Sequence, residues 1–362
     1  VIIALVIVFI FLILRFAVTL FNFISDPKLR KVNRMHQHLV SILIPARNEE
    51  SNILTLLRSI EEQDYPNYEV IVLDDDSSDD TFALCEEFVA HRSQFKVIKG
   101  KSLQQGWLGK NFACYQLAKE AKGEYLLFLD ADEKVYPGLI NSAVHRIKAK
   151  KLALLSLFTN QEMQSFGEKL VVPLMHYLLL NLLPIRLIYL AQNPAFAAAS
   201  GQFMLFDAKL YHQYQWHSLS KDQIVEDVEI MKMVKTEELR GESLLANGFI
   251  TCRMYTGYQE AIDGFSKNFL AAFNYSVPGF ICYLVLIIGG PMLILSTLNP
   301  QLILMMSGLI LLTRIMISLS SGQNAVYNSI LHPLQMISLL VVGVLAIQNY
   351  LTKSTVWKGR RV

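Results

Sequence analysis

The sequence predicts an α/β domain built on a parallel sheet and held between hydrophobic helices at both ends of the chain. Three observations predict it. Residues 39–160 alternate short apolar runs with helical patterns, the signature of parallel strands with crossover helices. Three of the apolar runs end in polar clusters, at Pro45-Ala46-Arg47-Asn48, Asp74-Asp75-Asp76-Ser77 and Asp130-Ala131-Asp132; ligands of such sheets bind outside the carboxyl ends of the strands. Hydrophobic residues make up 52% of the 362-residue chain, too many for a purely soluble enzyme, and the excess sits at the two ends.

Residues 1–14 are apolar without interruption, and 16–24 resume the run after Arg15. Together they cover a bilayer core, which takes about 20 helical residues. A cleaved signal peptide is the rival reading, but no small-residue cleavage site follows. The sequence does not open on Met, so a few upstream residues are expected. Lys28, Arg30, Lys31 and Arg34 follow the span and place this flank on the cytoplasmic side.

At the other end, 278–298 and 300–319 read as spans turned at Asn299-Pro300, and 331–350 as a third hydrophobic segment opened by His332-Pro333. Arg314 lies inside the second; an intramembrane cation faces a partner or water, or snorkels. Three further spans would leave the basic residues Lys353, Lys358, Arg360 and Arg361 outside, against the charge rule, so 331–350 is expected to be re-entrant or interfacial. The organisation is therefore an anchor (1–26), a cytoplasmic domain (36–275), hydrophobic segments (276–350) and a basic tail (351–362), giving a multi-pass protein of the cell membrane. A net charge of +2 suggests no nucleic-acid partner. Cys85, Cys114, Cys252 and Cys282 show neither paired nor metal-ligand spacing, which suits a reducing compartment.

Within the domain, 39–45 is a strand and 49–63 a helix with Ile53, Leu56, Leu57 and Ile60 on one face. Strand 68–73 follows, then a helix to about residue 91 that Asp79-Asp80-Thr81 can cap. Strand 95–98, helix 111–122 and strand 124–129 complete the alternation. Residues 168–192 are apolar but broken by Pro173, His176, Asn181, Pro184 and Arg186. They form either a buried helix pair or, as preferred, an interfacial segment that admits a lipid.

The polar clusters suggest chemistry. Alternation along an extended backbone points Asp130 and Asp132 to one side; two hard oxygen donors there suit Mg²⁺ or Mn²⁺, completed by substrate phosphates. Asp75 can accept from nucleobase N–H or ribose hydroxyl groups, whereas Asp79 and Asp80 read as turn and cap. Gly106-Trp107-Leu108-Gly109-Lys110-Asn111 puts two glycines and a lysine before a helix. That suits phosphate approach with Lys110 as a point charge, though the spacing is not a Walker motif. Glu226-Asp227, flanked by Ile224, Val225 and Val228, is either a charged helix start or a partly buried pair in which Asp227 acts as general base. Gln202 and His217 are acceptor-side candidates or packing residues. Arg253 closes a strand, and Gly264-Phe265-Ser266-Lys267-Asn268 opens the approach to the membrane.

Pro45-Ala46-Arg47-Asn48-Glu49, Asp74-Asp75-Asp76-Ser77, Asp130-Ala131-Asp132 and Glu226-Asp227 resemble, in order, the signature of family 2 glycosyltransferases of the GT-A fold. Gly109-Lys110-Asn111-Phe112-Ala113-Cys114, Arg253-Met254-Tyr255, Gly264-Phe265-Ser266-Lys267-Asn268, His332-Pro333-Leu334 and Trp357-Lys358-Gly359-Arg360 resemble the membrane-bound subgroup near diaponeurosporenoate and hopanoid-type glycosyltransferases. The resemblance implies a Rossmann-like domain with a mixed sheet and transfer from a nucleoside-diphosphate sugar, a UDP-sugar foremost, to a membrane lipid. Pro45, Ala46, Arg47 and Glu49 would line the nucleotide pocket and Asp75 would bond the base. Asp130 would face sugar or ribose and Asp132 would ligate the metal. Asp227, beside Glu226, would deprotonate the acceptor with inversion. Lys110 would share the diphosphate charge, and Gln202, His217, Arg253 and Lys267 would serve the acceptor or diphosphate side.

The Gln-x-x-Arg-Trp motif of the processive polysaccharide synthases is absent, which disfavours polymer synthesis. A transporter or non-catalytic scaffold, with Arg314 and His332-Pro333 as the pathway, leaves the acidic clusters without a purpose.

Overall fold

The computed structural model describes residues 1–352, 356–357 and 360–361, so Lys353 and Lys358 of the basic tail lie outside the described residues. The strands that hold the domain are β1 (Val40–Ala46), β2 (Tyr68–Asp74), β3 (Phe95–Lys99), β4 (Tyr125–Leu129), β5 (Glu133–Val135), β6 (Leu154–Phe158), β7 (Asn160–Gln161), β8 (Phe203–Asp207), β9 (Gly241–Leu245) and β10 (Ile250–Cys252). Seven of them form one sheet in the order β3-β2-β1-β4-β8-β6-β9, and β5-β10-β7 form a second. The first four run parallel, as the strand–helix alternation predicts. β8 runs antiparallel to both β4 and β6, so the sheet is mixed.

Helices cover both faces because the strands are apolar on both. On one face lie α2 (Ile53–Glu61), α3 (Thr81–Val89) and, beyond α4 (Gly109–Glu120) in sequence, α5 (Leu139–Lys150). Ile53, Leu56, Leu57 and Ile60 are wholly buried against the sheet; each contributes roughly 1.5–3 kcal/mol, and truncating any one to Ala would leave a cavity. α4 covers the other face, together with α6 (Phe166–Val171), α7 (Pro173–Leu182) and α8 (Arg186–Leu190). The short helices α9 (Ala208–Tyr214) and α10 (Trp216–Leu219) lead to α11 (Glu226–Thr236), and α12 (Tyr258–Asn268) follows β10.

Among the described residues, four helices are long and apolar enough to cross a membrane: α1 (Ile2–Ser25), the continuous rod Val277–Ser296, Pro300–Ser321 and His332–Thr352. The rod comprises α13 (Val277–Leu284) and α14 (Gly290–Ser296), joined by a π-helical turn. α15 (Pro300–Ser321) is capped by Asn299, whose side chain accepts from two backbone amides, which explains the turn at Asn299-Pro300. α16 (Ala325–Ile330) leads into α17 (His332–Thr352).

Residues 168–192 are not an exposed interfacial segment. About half are buried and only Leu182, Leu190 and Gln192 are exposed; the buried ones join the apolar cluster that also contains residues of α13 and α17. Their broken pattern is explained by polar anchors to α1. Arg15 donates to Asn181 at 3.2 Å, and Asn22 donates to the carbonyls of Leu180 and Leu183 at 2.9 and 2.8 Å. Arg314 does not snorkel: it is buried, stacks on Tyr177 at 4.5 Å and donates to the Asn328 carbonyl and the Gln335 side chain.

Candidate active site

The order β2-β1-β4 brings the three polar strand ends side by side. Ala46 pairs with Asp74 in register, and the Asp75 amide donates to the Ala46 carbonyl at 2.8 Å. Arg47 bridges the first two clusters, donating to the carbonyls of Asp75 and Asp76. Asp75 is 5% exposed at this edge. Glu49 opens the α2 side: its amide donates to Thr81 Oγ1, and its carboxylate accepts from Asn52.

The third cluster departs from the extended geometry expected of it. β4 ends at Leu129, and the chain turns over Ala131 and Asp132. The two carboxylates therefore meet different partners. Asp130 pairs with Lys110 at 2.7 Å, while Asp132 accepts from the Cys252 thiol at 3.4 Å. Burial, Asp130 and Glu49 push the Asp132 carboxyl up to about 6.

Lys110 stands at the centre. Its ammonium lies 3.4 Å from Glu226 and within hydrogen-bonding reach of the Gly201 carbonyl. Burial alone would lower it, but Asp130 and Glu226 outweigh burial and keep it protonated. α4 also fixes the acidic pair, because Asn111 donates to the carbonyls of Ser220 and Gln223 at 2.7 and 3.0 Å, just ahead of Glu226. Asn111 is a positioning residue that motif reading quoted without a role.

Asp227 accepts from the amides of Gly201 and Val228, both at 2.8 Å, so its carboxylate is clamped. Burial raises its pKa against the pull of Lys110. Glu226 is pushed up to about 7, by burial first and then by Asp227 and Asp130, with Lys110 opposing. Gly201 lets the cluster close in: a Cβ would lie 2.9 Å from Lys110 Nζ and 3.2 Å from Glu226, so those side-chain ends would have to shift. A glycine with ordinary backbone angles gives no such signal in the sequence.

The four remaining candidates differ in their surroundings. Gln202 is buried beside Asp130, its side-chain oxygen accepting from Thr159 at 2.8 Å, and so braces β8. His217 corrects the acceptor-side expectation. It is 1% exposed among Phe128, Phe206 and Tyr211, bonded to the Tyr211 hydroxyl at 2.7 Å, and burial pushes it down to about 3. It is a neutral packing residue. Arg253 borders the Asp132 recess but is paired with Glu168 at 2.9 Å. Lys267 lies in the last turn of α12. That helix approaches the site through Gly264, where a Cβ would overlap Tyr255, and the Tyr255 phenol is pushed up by burial and by Asp132. Tyr275, just before α13, stacks on Tyr350 at 5.8 Å, and its phenol is raised by burial, Glu229 and Asp227.

A parallel-dominated mixed sheet with acidic strand ends over a lysine–carboxylate cluster defines a glycosyltransferase domain of GT-A type. Residues 41–214, just under half of the chain, match the family model Glycosyl transferase family 2. The chain is 25% identical over 271 residues to a 4,4'-diaponeurosporenoate glycosyltransferase of Staphylococcus haemolyticus, covering 68% of this chain and 65% of that protein. It is 27% identical over 280 residues to the protein of the same description from Staphylococcus aureus, covering 75% and 71%. A beta-monoglucosyldiacylglycerol synthase of Trichormus variabilis is 34% identical over 115 residues, 31% of this chain and 24% of that protein. Among solved structures, a mannosyltransferase from Pyrobaculum calidifontis in complex with GDP-Man and Mn²⁺ superposes with a TM-score of 0.56 at 15% identity, covering 96% of this chain and 99% of that one. That likeness speaks to the fold.

Proposed function

We propose that this protein transfers a sugar from a nucleoside-diphosphate sugar, a UDP-sugar foremost, to a membrane lipid, with inversion at the anomeric carbon. The observation that carries the reading is the clamped Asp227 carboxylate, held by two backbone amides at 2.8 Å. A carboxylate so fixed, with its pKa raised, is suited to take a proton from an incoming hydroxyl as that oxygen attacks the sugar. No second nucleophile is needed, and single displacement inverts the centre. Asp75 accepts from the base, Arg47 fixes the loop around it, and Lys110 offers a cation to the departing diphosphate. Asp132 and Asp130 would hold a divalent cation, Mg²⁺ or Mn²⁺, which would supply further charge neutralisation there. The names of the relatives, which include lipid glycosyltransferases, support a lipid acceptor.

The packing of α17 supports a membrane placement for the chain. Ser338 meets the Tyr258 hydroxyl at 3.3 Å, and Asn349 donates to Ser266 at 3.0 Å, so α17 runs level with α12. α12 exposes Gln259, Glu260 and Asp263; tilting α17 across the bilayer would drag those charges into hydrocarbon at a cost of several kcal/mol. α17 therefore lies in the interface plane with Ile337, Val341 and Val344 toward lipid. Three spans then leave the catalytic domain and the tail on one side, the cytoplasmic one.

The test incubates membranes containing the protein with labelled nucleotide sugars, with and without divalent cation, and extracts the lipids. Labelled lipid that requires the protein is expected; label that appears only in polymer, or none with any donor, overturns the reading. For topology, a cysteine replacing Leu351 in a Cys282→Ser background is expected to react with impermeant maleimide only from the side of the catalytic domain. Reaction only from the opposite side means that α17 spans.

A further inference from the structure

We propose that Glu133 and Cys252 join Asp132 in a three-ligand site for a divalent cation that accepts thiolate, of the Zn²⁺ or Co²⁺ kind. The inference rests on Asp132 being the cation ligand at the donor diphosphate, and it adds two residues that neither the signature motifs nor cysteine spacing indicate. Glu133 and Cys252 are direct cross-strand partners in the antiparallel pair β5–β10, the arrangement that brings two side chains onto one face. Asp132 immediately precedes β5 and its carboxylate already meets the thiol at 3.4 Å. One ligand atom from each residue lies within 4.8 Å of the other two, the span a single ion bridges.

A second observation points to a ligand. Glu133 is 1% exposed, and its carboxylate oxygens meet no donor except the neighbouring Cys252 thiol, which already bonds Asp132. Buried carboxylates are ordinarily satisfied by cations or donors, and a carboxylate left with only a shared thiol calls for one. Arg253 borders the same recess but is taken by Glu168, and Lys110 by Asp130 and Glu226. The recess holds about 130 Å³ and is also lined by Asn52, Thr55 and Lys134, leaving room for substrate oxygens to complete the ion's shell. Binding deprotonates the Cys252 thiol and releases that proton to solvent. Thiolate favours borderline ions over Mg²⁺, which prefers an all-oxygen shell.

The test titrates Co²⁺ into the metal-stripped full-length protein in detergent. A near-ultraviolet thiolate-to-cobalt charge-transfer band at one equivalent is expected, lost in Cys252→Ser. Glu133→Gln is expected to weaken Co²⁺ binding by about 10–100-fold, as loss of a ligand or its support does. Both variants keep side-chain volume, and the band in the native protein is a readout that needs no variant. Bound Co²⁺ without the band, or unchanged affinity in Cys252→Ser and Glu133→Gln alike, overturns the site and leaves Glu133 a neutral buried acid. The two proposals fail separately. The band without lipid glycosylation removes the transfer reading, whereas glycosylation supported by Mg²⁺ without the band removes this one.

Discussion

Replacing Lys110 by Met removes the one cation that the acidic cluster shares. Its ammonium stands 2.7 Å from Asp130 and 3.4 Å from Glu226, and the lysine and Asp130 side chains are each about one-quarter exposed. At an effective dielectric of about 20, one such contact is worth roughly 5 kcal/mol before desolvation is counted. Removing one partner of a largely buried pair costs about 3–5 kcal/mol, because the other charge stays behind. The carboxylates escape part of that cost by taking up protons. Glu226, already pushed up to about 7 by burial with Lys110 opposing, rises further in the variant. A carboxyl whose folded pKa lies above its unfolded value favours the fold while protonated, so K110M loses stability relative to the native protein as pH rises through neutrality. The assay is a pH profile of kcat/KM for sugar transfer alongside thermal unfolding. The acid limb is expected to move up by at least about one unit, each unit being 1.36 kcal/mol, and kcat to fall roughly 100-fold. A lower rate with the acid limb unmoved would refute Lys110 as the group that sets the charge of this cluster.

Asp227→Asn is expected to lower kcat by about 10²–10⁴-fold while equilibrium dialysis finds donor binding unchanged; a normal rate removes Asp227 as the base. Gly201→Ala places a Cβ 2.9 Å from Lys110 Nζ and 3.2 Å from Glu226, so kcat is expected to drop roughly tenfold as the cluster shifts. Because the lysine end is flexible, the melting temperature should hold, and a large fall in it means that the clash is with the fold. Glu168 caps α6 and holds Arg253; burial pushes its carboxyl up, but Arg253 and the amides of Gln164 and Ser165 outweigh this and hold it at about 2. Its stabilisation is present above the ordinary carboxyl range and is lost as pH falls toward 2. Glu168→Gln is therefore expected to melt lower at neutral pH, with the gap closing on acidification; a gap independent of pH points to packing instead.

The sheet was legible because its strands are short apolar runs separated by helical periods, and β1, between β2 and β4, leaves only one edge where the polar strand ends can lie. Four membrane-compatible helices were legible from length and composition alone. What pattern reading missed depends on chain segments distant in sequence. His217 looks available in the sequence, yet Phe128 and Phe206 enclose it because β4 and β8 are neighbours. The broken run 168–192 looks interfacial, yet its polar residues are explained by Asn22 and Arg15 on a helix at the start of the chain.

The sequence by itself determined the kinds of chemistry present: which strands end in carboxylates, where a lysine precedes a helix, and which segments are too apolar for water. Local periodicity and composition carry that information, since each depends on neighbours within a few residues. Tertiary structure alone decided who pairs with whom: Asp130 with Lys110, Asp227 with the Gly201 amide, and Cys252 with Asp132. Those contacts are set by strand order and register, and pairwise electrostatics at 3 Å cannot be read from residues that only the fold brings together.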